Sequence, residues 1–196
     1  MSQVLFDLED KTAIITGGGS GIGAGIARAY GALGANLVIA DVELETSEEV
    51  VAELEAAGYP VLLLQVDVRF EDQVEAMVQQ ATNSFGSVDI LVNSAGVGTL
   101  SSIVDMLEEE WDWVLDVNLK GPFLCTRAVA RRWIQTGRGG RIINLSFRID
   151  GNSEALYRTI TDYSSIIKMR CYRNCCCYRY CTRIGCSKCC NITGTT

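Results

Sequence analysis

The chain contains no histidine among its 196 residues. That excludes Ser-His-Asp triads, Cys-His dyads and His-ligated metals, and leaves acid–base work to Tyr, Lys, Asp, Glu and Cys. The run Thr16-Gly17-Gly18-Gly19-Ser20-Gly21-Ile22-Gly23 follows a short apolar segment. Glycine has no Cβ, so a chain built from it turns tightly and lets a ligand approach the backbone. A helix starting inside such a run offers unpaired N–H groups and a partial positive charge, which suits a diphosphate. Asp41 ends the next apolar run, 24 residues after Gly17. An acid there accepts hydrogen bonds from ribose hydroxyls and repels a 2′-phosphate. No Lys or Arg lies in the glycine run, whose last variable position is Ser20. Both features favour NAD over NADP.

These residues need a frame, and the sequence supplies one. Short apolar runs at 13–16, 37–40, 61–66, 90–92 and 142–145 read as buried strands. Between them Ile22, Ile26, Ala29, Tyr30 and Leu33, then Val50, Val51, Leu54 and Ala57, then Val74, Met77, Val78, Ala81 and Phe85, fall on single helical faces. Gly34, Gly58 and Gly86 stand where each helix should stop. Strand alternating with helix predicts a parallel sheet covered on both faces. Right-handed crossovers then point to a doubly wound, Rossmann-like α/β fold, here expected to be incomplete at its C-terminal end.

Composition divides the chain in two. Residues 1–146 hold 9 Lys and Arg against 21 Asp and Glu, a net charge of −12; residues 147–196 hold 8 against 3, a net of +5. Eight of the nine cysteines lie between Cys171 and Cys190. The expected division is a dinucleotide-binding domain over 1–146 and an irregular Cys-rich tail over 147–196. The acidic first part argues against a nucleic-acid partner. No apolar run reaches the ~18 residues of a membrane helix. The acid-rich first eleven residues do not read as a signal peptide, so the cytoplasm is the expected compartment.

Later motifs join the glycine run in order and spacing. Asp67-Val68 follows the third strand, Asn93-Ser94-Ala95-Gly96 the fourth, Trp111 to Asn118 ends in Asp116-Val117-Asn118, and Gly140 to Ser146 spans the fifth. Together they resemble the short-chain dehydrogenase/reductase family over residues 8–146. The resemblance implies a nicotinamide dinucleotide held by Thr16, Gly17, Gly19, Ser20, Gly21, Ile22, Gly23, Asp41, Asp67, Val68, Asn93, Ala95 and Gly96, with Asp67 on the adenine amino group. It implies reversible hydride transfer between that coenzyme and an alcohol or carbonyl compound, and assembly as a homo-oligomer. It also implies that Asn118 holds a water in a proton relay, with Ser146, Tyr163 and Lys168 standing for the catalytic Ser, Tyr and Lys. A mid-helix Asn such as Asn118 is unfavourable unless its side chain finds a partner. Read from its own chemistry, Asn93 is a turn residue. Trp111, Trp113 and Trp133 read as core or oligomer surface.

The family's Tyr-x-x-x-Lys motif is broken. Lys168 is five residues after Tyr163, which on a helix puts the two about 140° apart. Phe147 follows Ser146 where the family has its second, catalytic serine. No helix or strand period is found between Cys171 and Cys181. Three readings of the tail remain. One is a shifted or unspliced reading frame after about residue 146, which would leave an inactive NAD-binding fragment. Another is a zinc site on Cys177, Cys181, Cys186 and Cys189. The third is a disordered segment with reactive thiols.

Overall fold

A computed structural model describes residues 7–102 and 104–146, together with the backbone of 171–172 and 175–176. Five strands, β1 (Thr12–Thr16), β2 (Asn36–Asp41), β3 (Val61–Gln65), β4 (Ile90–Asn93) and β5 (Arg141–Asn144), form one sheet in the order β3-β2-β1-β4-β5. Every pairing is parallel. All five lie where apolar runs predict them. The chain winds outward from β1 to β3, then crosses over to β4 on the other side of β1. That reversal opens a crevice at the carboxyl ends of β1 and β4, where such sheets bind ligands.

Helices α1 (Gly21–Gly31), α2 (Leu44–Ala56), α3 (Glu71–Phe85), α4 (Glu108–Leu115) and α5 (Gly121–Thr136) connect the strands. Side chains of a strand alternate between faces, and the core divides accordingly. Ala13, Ile15, Leu37 and Ile39 join Ala24, Ala27, Val50 and Leu54 of α1 and α2 on one face. Ile14, Val38 and Leu91 join Val74, Met77, Leu124 and Val129 of α3 and α5 on the other. The predicted stops hold. Gly34, Gly58 and Gly86 all take left-handed φ values, +88°, +81° and +81°, just past α1, α2 and α3.

Trp133 is a core residue. It is 3% exposed, and its indole N–H donates to the Val88 carbonyl at 2.6 Å. Between α4 and α5 the chain forms one π-helical turn, Asp116–Lys120, a local widening of the kind found at functional sites. Beyond 146, Cys171–Tyr172 (β6) and Cys175–Cys176 (β7) form a two-residue antiparallel pair, with Cys171 opposite Cys176. A pair this short leaves no period for sequence analysis to detect. Among the described residues no helix is long and apolar enough to cross a membrane.

Candidate functional site

The crevice has a volume of about 380 Å³. Its floor is Gly17 and the start of α1 (Ser20, Gly21, Ile22, Gly23); its walls are Asp41 and Val42 after β2, Val66 to Arg69 after β3, Ser94 to Val97 after β4, and Trp113 and Val117 from the α4 region. Ten of the thirteen expected cofactor residues therefore line it directly. Trp113, 39% exposed, also lines it, so it is not a core residue. Its place depends on how α4 lies across the β4 loop, a contact that spacing alone does not reveal.

Sequence dictates the floor's shape. Gly17 has φ +63°, and a Cβ there would sit 2.7 Å from the Ala95 Cα. The first turn and the β4 loop can approach this closely only because position 17 is glycine. A Cβ on Gly23 would strike the Gly17 carbonyl, so α1 is seated directly on the turn. At Gly21, φ +50°, a Cβ would meet nothing within 4 Å. Ser20 places no side-chain oxygen over the first turn of α1, whose leading N–H groups have no intrahelical acceptor. Open space beside these donors, at the positive end of a helix, fits a diphosphate.

Three expected cofactor residues lie behind the lining. Thr16 is 1% exposed; its hydroxyl accepts the Ser94 and Ala95 N–H groups, both at 3.2 Å, tying β1 to the β4 loop. Gly19 donates its N–H to Asp41 Oδ2 at 2.9 Å. Asn93 is not a turn residue. It ends β4, is 2% exposed, and its amide donates to Asn144 Oδ1 at 2.7 Å. Its neighbour across the sheet, not its local sequence, determines that role. Val68 lines the crevice and also packs inward, 6% exposed; a Cβ on Gly121 would meet its side chain at 2.7 Å. Glycine at 121 thus lets the start of α5 press against the third wall.

The two acids of the crevice differ. Asp41 accepts main-chain N–H groups on both oxygens, from Gly19 and from Glu43 at 3.2 Å. Asp67 is clamped by a side chain: Arg69 Nε donates to both its oxygens, at 2.9 and 3.0 Å. This pairing holds the Asp67 carboxyl below the usual carboxylate range and raises Arg69. Arg69 was not singled out from the sequence; the signal was present as an acid and a base two residues apart at a strand end.

Asn118 sits in the π-turn and finds the partner that its position demands. Its Oδ1 accepts the Val97 N–H and its Nδ2 donates to the Val97 carbonyl, both at 2.8 Å. The side chain thus brackets the loop that forms one wall. Glu110 braces the same loop, accepting Thr99 and Ser101 hydroxyls at 2.9 and 2.8 Å. Those hydrogen bonds hold its carboxyl below its ordinary value, that of Ser101 contributing most. Ser146 is exposed two residues beyond β5. Tyr163 and Lys168, like Cys177, Cys181, Cys186 and Cys189, lie outside the described residues. Cys125 is buried, and burial pushes its thiol up to about 12, which makes it an inert core residue. Among the described residues no group of His, Cys, Asp or Glu could hold a metal ion.

The family model of the short chain dehydrogenases matches residues 11–157. This chain belongs to the short-chain dehydrogenase family. The match extends past the motif break after Ser146, into the part of the chain with the second composition. An uncharacterized oxidoreductase of Thermotoga maritima is 42% identical over 139 residues, covering 71% of this chain and 54% of the relative. An NAD-dependent glycerol dehydrogenase of Listeria innocua is 38% identical over 141 residues, with 72% and 54% covered. The chain thus spans about half the length of these curated relatives. A solved short-chain dehydrogenase/reductase of Burkholderia phymatum in complex with NAD superposes with a TM-score of 0.74 at 31% identity, over 81% of this chain and 57% of that one. A metagenomic short-chain oxidoreductase in complex with NADP gives 0.71 at 36%, over 80% and 71%. Family members thus carry either coenzyme in this fold.

Proposed function

We propose that the crevice binds NAD and that the chain is an oxidoreductase moving hydride between NAD and an alcohol or carbonyl compound. The observation that carries the coenzyme preference is the Asp41 carboxylate, on the wall beside the glycine turn, with both oxygens aligned by main-chain N–H groups. A fixed acid there accepts ribose hydroxyls and repels a 2′-phosphate. Among the described lining residues Arg69 is the sole cation, and it is committed to Asp67. The glycerol dehydrogenase relative, named NAD-dependent, supports the same choice and the substrate class.

When bound, the nicotinamide supplies the hydride acceptor or donor. The chain's own residues then divide the work. The α1 N-terminus neutralises the diphosphate. Asp41 orients the adenosine ribose. Asp67 faces the adenine amino group once Arg69 leaves an oxygen free to accept it. Asn118 keeps the Ser94–Val97 wall closed against the coenzyme. The acidic charge of residues 1–146 supports a small-molecule partner over nucleic acid. Leu107, Trp111, Leu119 and Phe123, exposed on and around α4 and α5, support self-association, which sedimentation would read as a dimer or larger.

A second reading has its own observation. Lys168 follows Tyr163 by five positions and Phe147 replaces the second serine, so the chain would bind NAD without turning it over. A panel of ketones with NADH separates the two. Steady loss of NADH absorbance supports the enzyme. Quenched protein fluorescence with no loss supports the binding fragment, and the coding DNA downstream of Ser146 would then show the family's ending in another frame.

A further inference from the structure

Gly19 does not line the crevice, yet it sits at the closure of a small ring of contacts. Its N–H donates to Asp41 Oδ2 at 2.9 Å. The other oxygen, Oδ1, accepts the Glu43 N–H at 3.2 Å. The Glu43 carbonyl accepts the Ser47 hydroxyl at 2.6 Å. Ser47, fully buried on the first turn of α2, packs back onto Gly19. A Cβ at position 19 would lie 2.9 Å from the Ser47 Cβ, overlap its Oγ, and stand 3.0 Å from Asp41 Oδ2. Gly19 has no left-handed φ, so backbone conformation does not demand glycine there; space does.

The polar side chains have reasons to stay. A buried hydroxyl left unpaired costs about 1–3 kcal/mol, and Ser47 meets that need on the Glu43 carbonyl instead of the glycine turn. Its Oγ therefore holds the β2–α2 corner in the shape that presents the Glu43 N–H to Asp41. Each oxygen of Asp41 accepts a main-chain donor from a different segment, which fixes the carboxylate plane. Free rotation of an exposed aspartate would let it swing away from a bulky anion.

We infer that Gly19 and Ser47 are positioning residues for coenzyme selectivity: by packing against each other they lock the Asp41 carboxylate at the ribose, so that a side chain at 19 weakens discrimination against a 2′-phosphate without touching the coenzyme. The inference rests on the reading of Asp41 as the selector. It adds a mechanism in which selectivity depends on the fit between the glycine turn and the start of α2, beyond the identity of the acid alone.

The test uses the full chain and the dissociation constants of NADH and NADPH by calorimetry. Asp41→Ala comes first. If the NADPH-to-NADH ratio of constants is unchanged by it, the coenzyme reading fails before the inference is reached. Where it lowers that ratio, Gly19→Ala lowers it about tenfold, the size of one lost charge-assisted hydrogen bond. Ser47→Gly added to Gly19→Ala makes room for the new Cβ and recovers about threefold, a rescue that a general loss of stability would not give. Ser47→Ala adds no bulk and needs no refolded turn; it lowers the ratio by about threefold through the loosened corner. A coenzyme-free readout accompanies these: exchange of the Gly19 amide proton, slow in the wild type, accelerates in Asp41→Ala and in Ser47→Ala. Asp41→Ala collapsing the ratio while Ser47→Ala leaves both the ratio and the Gly19 exchange rate at wild-type values overturns the inference, whether or not Gly19→Ala folds.

Discussion

β1 and β5 lie two places apart in one sheet and differ in almost every respect. All five residues of β1 are buried, because helices cover both of its faces and β2 and β4 both of its edges. β5 alternates exposed and half-buried residues and pairs with β4 on one side only among the described residues. The glycine turn hangs from β1, Asp41 from its neighbour β2; Ser146 hangs from β5. The groups proposed to grip a dinucleotide therefore spring from the most constrained part of the sheet. Groups assigned to proton transfer spring from its margin and from residues beyond it. On the proposed reading, binding and turnover are anchored separately, so that one can persist where the other is altered.

Core substitutions give the largest contrast. Ile14→Ala, at a fully buried site, should cost about 3 kcal/mol through lost burial and a residual cavity. Ile143→Ala, 36% exposed, should cost less than about 1 kcal/mol. Urea unfolding reads both. Equal losses would mean that β5 is as enclosed as β1, and the comparison would fall.

Asn118→Ala comes next. It leaves the Val97 N–H and carbonyl without partners, a loss of about 2 kcal/mol. It should also weaken coenzyme binding, since Val97 belongs to the crevice wall. Full stability combined with weakened binding would assign Asn118 to the ligand instead of the loop.

Arg69→Ala has a smaller effect with a definite pH dependence. Arg69 depresses the Asp67 carboxyl in the folded chain, so the pair stabilises fully above the unfolded value near ~4. The contribution is lost as pH falls through the lower, folded value. Because Arg69 is one-third exposed, the difference between wild type and variant at neutral pH should be about 1 kcal/mol or less. It should shrink below about pH 4. A difference that grows on acidification would contradict the pairing. Cys125 gives the smallest signal: its thiol, pushed up to about 12, should stay unlabelled by iodoacetamide at pH 8 until the chain unfolds, as peptide mass mapping would show.

The strands, the helix stops, the glycine turn and Asp41 were legible because each is written in consecutive residues. Continuous apolar runs mark strands buried on both faces, and Gly86 marks its helix end by chemistry local to it. What escaped depends on partners far along the chain. Asn93 reads as a turn residue until Asn144, 51 positions later, is seen beside it. Asn118 announces that it needs a partner but not that Val97 is the one. Trp113 carries no mark of facing the crevice, and Gly19 looks like one more glycine of the run until Ser47 is packed against it.

The measurement that bears most directly on the account is calorimetric titration of the unmodified chain with NADH and with NADPH. The account predicts one NADH per chain, bound at least about tenfold more tightly than NADPH, a difference of about 1.4 kcal/mol. No heat with either coenzyme, or tighter binding of NADPH, would contradict it.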